Sequence, residues 1–180
     1  DVQGNGPPLL ILHGLFGSAT NWRSVARHLA SRHTVHALDL RNHGGSPWAA
    51  TMTYPQMADD VRHYIARHRL QGVTVMGHSM GGKTAMALAL THPEVVARLI
   101  VVDIAPRTYA VTLASHVEAM RSIDLLAAAS RSEVQRRLQA MLSDAGVAAF
   151  LAQNLVQRDT HFDWRINLAA IAAAMPDLVD

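Results

Sequence analysis

The sequence contains no cysteine in its 180 residues. That absence removes disulfide staples, a thiol nucleophile and thiolate metal sites together. Long hydrophobic runs are also missing. No stretch approaches the roughly 18 apolar residues that read as a membrane-spanning helix, and the opening Asp1-Val2-Gln3-Gly4 shows no signal-peptide pattern. A cytoplasmic protein is the expectation. Charge of one sign is lacking as well: 16 Lys and Arg face 14 Asp and Glu, for a formal charge of +2. The arginines are scattered rather than set in a stripe, which argues against nucleic acid as a partner. Charged residues make up only 17% and hydrophobic ones 49%. This is too little charge for a disordered chain and enough apolar material for a core. Histidine is plentiful at 11, but never at a compact zinc spacing such as His-Glu-x-x-His, so no metal and no cofactor are expected.

The first 106 residues alternate short β-rich runs with amphipathic helices. Strands are expected over 9–12, 34–40, 73–76 and 99–102, with helices over 22–30, 54–69 and 83–90 between them. In the first helix Trp22, Val25, Ala26 and Leu29 share one face; in the second Met57, Val61 and Ile65 do. Such alternation indicates a parallel sheet with helical crossovers. In open α/β sheets the chemistry gathers beyond the carboxyl ends of the strands, and His13, Asp39, Ser79 and Asp103 all fall there. The rest of the chain reads as almost wholly helical, with segments over about 111–128, 131–143, 147–157 and 164–174.

Gly77-His78-Ser79-Met80-Gly81 follows a strand and opens an Ala-rich helix. Gly-x-Ser-x-Gly in that setting describes a strained turn that exposes a serine hydroxyl, with glycines where side chains would clash. The same residues spell a second pattern, Gly77-x4-Gly82-Lys83-Thr84, the phosphate loop of nucleotide-binding proteins, and the next strand ends in Asp103. The hydrolase reading is preferred because it also accounts for the Gly14–Gly17 turn and for the loop from Asp39 to Ser46.

Several segments together resemble the α/β-hydrolase superfamily: Leu12-His-Gly-Leu-Phe-Gly-Ser18, Asn21-Trp22, Asp39-Leu-Arg-Asn-His-Gly-Gly-Ser46, Gly77-His-Ser-Met-Gly-Gly-Lys83, Val102-Asp-Ile-Ala-Pro106 and Asn167-Leu-Ala-Ala-Ile171. Within it they are most similar to the small esterase branch of the YbfF-type esterases and α/β-hydrolase domain-containing protein 11. The resemblance implies an α/β fold with a mostly parallel sheet. Residues 1–106 would form the N-terminal part of the core, 107–175 a helical cap, and 176–180 the start of a return to the core, with the last strands absent from this stretch.

It also implies a serine esterase acting on small to medium apolar acyl esters, possible thioesters included. Ser79 would be the nucleophile and Asp103 the acid. The oxyanion donors would be the backbone N–H groups of Met80 and Leu15, with Phe16 as the near alternative. His13, Gly14, Asp39, His43 and His78 would support the site, the His78 ring pointing away from the Ser79 hydroxyl. No histidine here matches the family's general base, which is expected beyond residue 180. The 180 residues alone are therefore expected to show very low activity. The alternatives are a phosphate-loop protein or an inactive hydrolase-fold relative.

Overall fold

The computed structural model describes residues 1–108 and 113–178. The first half follows the expected alternation. A short strand β1 (Val2–Gln3) precedes β2 (Pro8–Leu12), α1 (Arg23–Leu29), β3 (Thr34–Leu38), α2 (Tyr54–Arg67), β4 (Val73–His78), α3 (Met80–Thr91) and β5 (Val96–Val102). Among the described residues these strands form one five-stranded sheet in the order β1-β3-β2-β4-β5. All pairings are parallel except that of β1 with β3. β2 and β4 are apolar on both faces because helices cover both sides. Leu9, Ile11, Val35 and Ala37 pack with Ala26 of α1. Leu10, Leu12 and Val75 pack under α2 and α3.

The chain leaves β2 to one side to form β3 and then returns to its other side to form β4. The connection reverses between β2 and β4, so their carboxyl ends flank the natural crevice of the sheet. The loop after β2 and Ser79 after β4 border that crevice.

Helix boundaries follow local chemistry. Thr53 and Gln56 form a reciprocal capping box at the start of α2, with Pro55 in the first turn. The α1 reading needs one amendment. Ala26 is buried, but Val25 is 41% exposed; it walls a cavity instead of joining the core.

The second half departs further. After α4 (Ala114–Ser122), α5 (Arg131–Leu142) and α6 (Ala145–Ala152), the chain forms a hairpin of β6 (Leu155–Arg158) and β7 (His161–Trp164) before α7 (Leu168–Leu178). The expected helix over 147–157 therefore ends early. The Arg131 guanidinium takes the carbonyls of Ala152 and Leu155 at 2.7 and 2.8 Å, closing the helix end. Leu155 and Trp164 then pair across the hairpin, both buried. The start of the expected 111–128 helix, at 111 and 112, lies outside the described residues. So do 179 and 180 of the expected return to the core; 176–178 finish α7. The C-terminal helices share one apolar cluster with the sheet, in which Val117, Leu138 and Ile171 continue from Leu12 and Met57.

β5 stands at the sheet edge with Leu99, Ile100 and Val101 between 37 and 43% exposed. An apolar edge strand with free N–H and C=O groups recruits other chains. Expressed as these 180 residues, the protein should elute from size exclusion as oligomer or aggregate. Ile100→Lys should raise the monomer fraction; an unchanged elution profile would show that β5 is not the sticky edge.

Candidate active site

Ser79 sits between β4 and α3 with φ 51° and ψ −120°, a strained conformation for a residue with a side chain. The strain is held by packing on both sides. A Cβ on Gly77 would run into the Gly81 carbonyl, and one on Gly81 would run into the carbonyls of Leu12 and His13. Only glycine at these two positions lets α3 start against the ends of β2 and β4. The Ser79 N–H donates to the Val102 carbonyl at 3.1 Å, which pins the turn to β5. No described residue makes a hydrogen bond to the Ser79 hydroxyl. Met80 opens α3, so its N–H has no intrahelical acceptor and lies at the positive end of the helix.

The loop after β2 faces this turn. Gly14 lies so close that a Cβ on it would be 2.9 Å from the His78 ring and 3.3 Å from the Ser79 side chain. Two buried histidines shape the loop from below. His13 has Nδ1 2.8 Å from the Gly14 carbonyl, while its Nε2 accepts the Leu40 N–H at 3.0 Å. His43 has Nδ1 2.9 Å from the Arg41 carbonyl, and its Nε2 accepts the Phe16 N–H at 3.3 Å. In both rings Nε2 accepts, so Nδ1 carries the proton and the ring is neutral. Burial is the main cause in each case. It lowers the pKa of His13, and it lowers that of His43 to about 3 despite the hydrogen bond to Arg41. The His43 contact occupies the Phe16 N–H. No described residue accepts the N–H of Leu15.

Asp39 braces the neighbouring loop. Its carboxylate accepts the N–H groups of Ala19 and Gly45 at 2.7 and 2.9 Å, and its carbonyl accepts the Ser46 hydroxyl at 2.6 Å. It is an organising group 40 residues from Ser79 in sequence and not a member of the crevice lining.

Asp103 follows β5 in a left-handed conformation, φ 55°, with its side chain 87% exposed. Its carboxylate lies 3.8 Å from His78 Nε2. The His78 ring makes no hydrogen bond to the Ser79 hydroxyl and lines the same cavity, 6.0 Å from the Trp22 ring.

That cavity has a volume of about 460 Å³. Leu15, Phe16, Trp22 and Val25 wall one side. Leu113, His116, Val147, Phe150 and Leu151 wall the other. Among the described residues no Asp, Glu, Lys or Arg lines it. The His116 ring stands edge-on to Phe16 at 6.1 Å, and burial lowers its pKa.

Residues 7–166 match the family model described as "alpha/beta hydrolase fold". The chain belongs to the α/β-hydrolase family. It is related to the branch of ABHD11 and YbfF: it is 42% identical to the sn-1-specific diacylglycerol lipase ABHD11 of Xenopus tropicalis over its whole length, and 36% identical to Esterase YbfF of Escherichia coli strain K12 over 98% of it. It covers 59% of the first relative and 68% of the second. Among solved structures it is similar to a marine microorganism esterase, with a TM-score of 0.97 and 37% identity over all of this chain and 72% of that one.

The α/β-hydrolase elbow displaces the phosphate-loop reading. Such a loop needs irregular backbone from Gly77 to Lys83 whose N–H groups converge on an anion. Here Gly77 and His78 are still in β4, and residues from Met80 onward are already helical. The Thr84 hydroxyl is buried and donates to the Met80 carbonyl at 3.0 Å. Lys83 is buried too, with its ammonium on the Arg107 carbonyl at 3.0 Å and 5.7 Å from the Tyr54 ring centroid. It fastens the segment after β5 over α3, a use that pattern reading passes over. Pattern reading also passes over His36, which is buried in β3 against the Tyr64 hydroxyl at 2.9 Å. It misses Asn154 as well, buried against the Phe16 carbonyl at 2.8 Å. The one available signal was an amide at the end of an apolar helix.

His43 makes stability depend on acid in a definite direction. Its folded pKa of about 3 lies below its ordinary value of 6.5. Between these values the unfolded chain binds a proton that the folded chain refuses, so stability is complete above about pH 6.5 and falls toward pH 3. The slope from this group is on the order of 1 kcal/mol per pH unit, and His13 acts in the same direction. Urea unfolding between pH 7 and pH 4 should show this decline, and His43→Gln should flatten it. An equal slope in both proteins would remove His43 as its source.

Proposed function

We propose that this chain carries the nucleophile, the acid and the oxyanion hole of a serine carboxylic-ester hydrolase. It acts on small to medium apolar acyl esters, acyl thioesters included, through an acyl-enzyme. The observation that supports the reading is the strained Ser79, its hydroxyl without a partner among the described residues, at a cavity that no described charged residue lines, with the Leu15 and Met80 N–H groups unengaged. The names of the relatives, a diacylglycerol lipase and two esterases, support an ester as substrate.

In this reading Ser79 Oγ attacks the acyl carbonyl as its proton passes to a general base. Leu15 and Met80 N–H stabilise the oxyanion, usually one of the larger catalytic terms. The alcohol or thiol leaves with that proton, and water then releases the acid. The base is a histidine contributed from outside these 180 residues, and Asp103 orients it. The histidines lining the cavity are otherwise placed. His13 has both nitrogens engaged, His78 turns Nε2 toward Asp103, and His116 stands over Phe16. The exposure of the Asp103 carboxylate leaves it open to such a partner. Helices α4 to α7 act as a cap whose inner face meets the acyl group.

Intact mass after fluorophosphonate treatment of the full-length protein should show one adduct, lost in Ser79→Ala. No adduct would leave an inactive hydrolase-fold protein. Asp103→Asn should lower kcat by about 10⁴, as loss of the orienting acid does in other serine hydrolases.

The cavity also predicts selectivity. An acyl chain ending in a carboxylate would meet no cation there, and burying an unpaired charge is costly. The kcat/KM for a butyrate ester should exceed that for the matching succinate half-ester by about 100-fold or more. Comparable values would mean that the acyl group does not enter this cavity.

A further inference from the structure

Phe16 is held in a left-handed backbone conformation, φ 63°, although it is not glycine. A residue with a Cβ pays for that conformation by roughly 1–2 kcal/mol, so surrounding contacts must hold it there. Both polar groups of its backbone are held. The N–H is taken by His43 from the loop after β3, and the carbonyl accepts the Asn154 side-chain amide at 2.8 Å. Leu15, immediately before Phe16, supplies the open N–H.

Asn154 is only 4% exposed, and its position is fixed from several sides. Its side-chain amide also reaches the Leu151 carbonyl at 3.3 Å. Its own N–H donates to Leu151, and its carbonyl accepts the Arg165 N–H at 2.8 Å. A second tie lies beside it: the Asn21 amide donates to Gln153 Oε1 at 2.7 Å, and Asn21 Oδ1 accepts the Ser18 N–H at 2.7 Å. The end of α6 thus grips the oxyanion loop at two points. The same helix supplies Val147, Phe150 and Leu151 to the cavity wall.

We infer that Asn154 is a positioning residue through which the seating of the cap sets the oxyanion hole. The chain just past the helix that meets the acyl group also clamps the Phe16–Gly17 peptide, two peptide planes beyond the Leu15 N–H. An acyl chain that seats α6 therefore tightens the donor, and a cap that lifts away loosens it. This rests on the serine-hydrolase reading of Ser79, because an oxyanion hole has meaning only there. The arrangement explains why a buried amide stands at this helix end, 138 residues from its acceptor.

The test uses the full-length protein with Asn154→Asp and Asn154→Ala. Aspartate keeps the shape but sets a carboxylate oxygen against the Phe16 carbonyl; alanine removes the donor. Active sites are counted first by the burst of nitrophenol from an activated ester, so misfolded protein is not scored. Per titrated site, kcat should fall about 10- to 100-fold, the scale of a donor misplaced rather than deleted. KM for a butyrate ester should change less than threefold, about 0.7 kcal/mol at most. A trifluoromethyl ketone, whose carbonyl adds Ser79 Oγ to give a hemiketal oxyanion, should weaken by the same factor as kcat. The matching unreactive methyl carbinol should bind as before. Unchanged kcat per site with unchanged ketone binding would overturn the assignment while leaving Ser79 as nucleophile. A wild-type protein with neither burst nor turnover would overturn both.

Discussion

The close backbone approach at Gly77 and Gly81 is the constraint on which the rest depends. With no Cβ at either position, the first turn of α3 can press onto the carbonyls that end β2. That contact holds Ser79 in its turn between β4 and α3 and brings the loop after β2 close to it. The cost is a serine held in an unfavourable backbone conformation. It is offset by the apolar contacts and ladder bonds of the buried parallel strands β2 and β4.

Around this turn the polar groups are arranged to be satisfied without being charged. His13 and His43 are buried as neutral rings, each donating one hydrogen bond and accepting another. Asp39 accepts backbone N–H groups of two loops with its carboxylate oxygens. The cavity is left apolar, with the Ser79 hydroxyl among its few unengaged polar groups. In such surroundings the two N–H dipoles of the proposed oxyanion hole would act with little competition from water. A full charge in the lining would serve a different substrate class.

What could be read in the sequence was the part governed by local rules. The β2 and β4 runs and the glycines of the elbow each carry their meaning in a short window, and the elbow stands at the carboxyl end of a strand, as the alternating pattern requires. The α2 cap from Thr53 to Gln56 is equally local. The part not legible was governed by distant partners. The hairpin of β6 and β7 depends on Leu155 meeting Trp164 and on Arg131 closing α6; four-residue strands give too short a period to betray themselves. Val25 was misplaced because a cavity wall and a core face look alike in an amphipathic pattern. Lys83 stands in a phosphate-loop pattern that it does not serve, and its acceptor at Arg107 lies on a later loop that no short window reaches. Asn154 pairs with Phe16, and no window of neighbouring residues contains both.

The central claim is that Leu15 and Met80, and not Phe16, present their N–H groups to charge developing on an acyl group bound to Ser79. A crystal structure of the full-length protein phosphonylated on Ser79 tests it most directly. The account predicts the phosphoryl oxygen about 2.7–3.1 Å from the nitrogens of both Leu15 and Met80, with the Phe16 N–H still on His43. An oxygen facing solvent, or one bound by Phe16 after it has left His43, would contradict it.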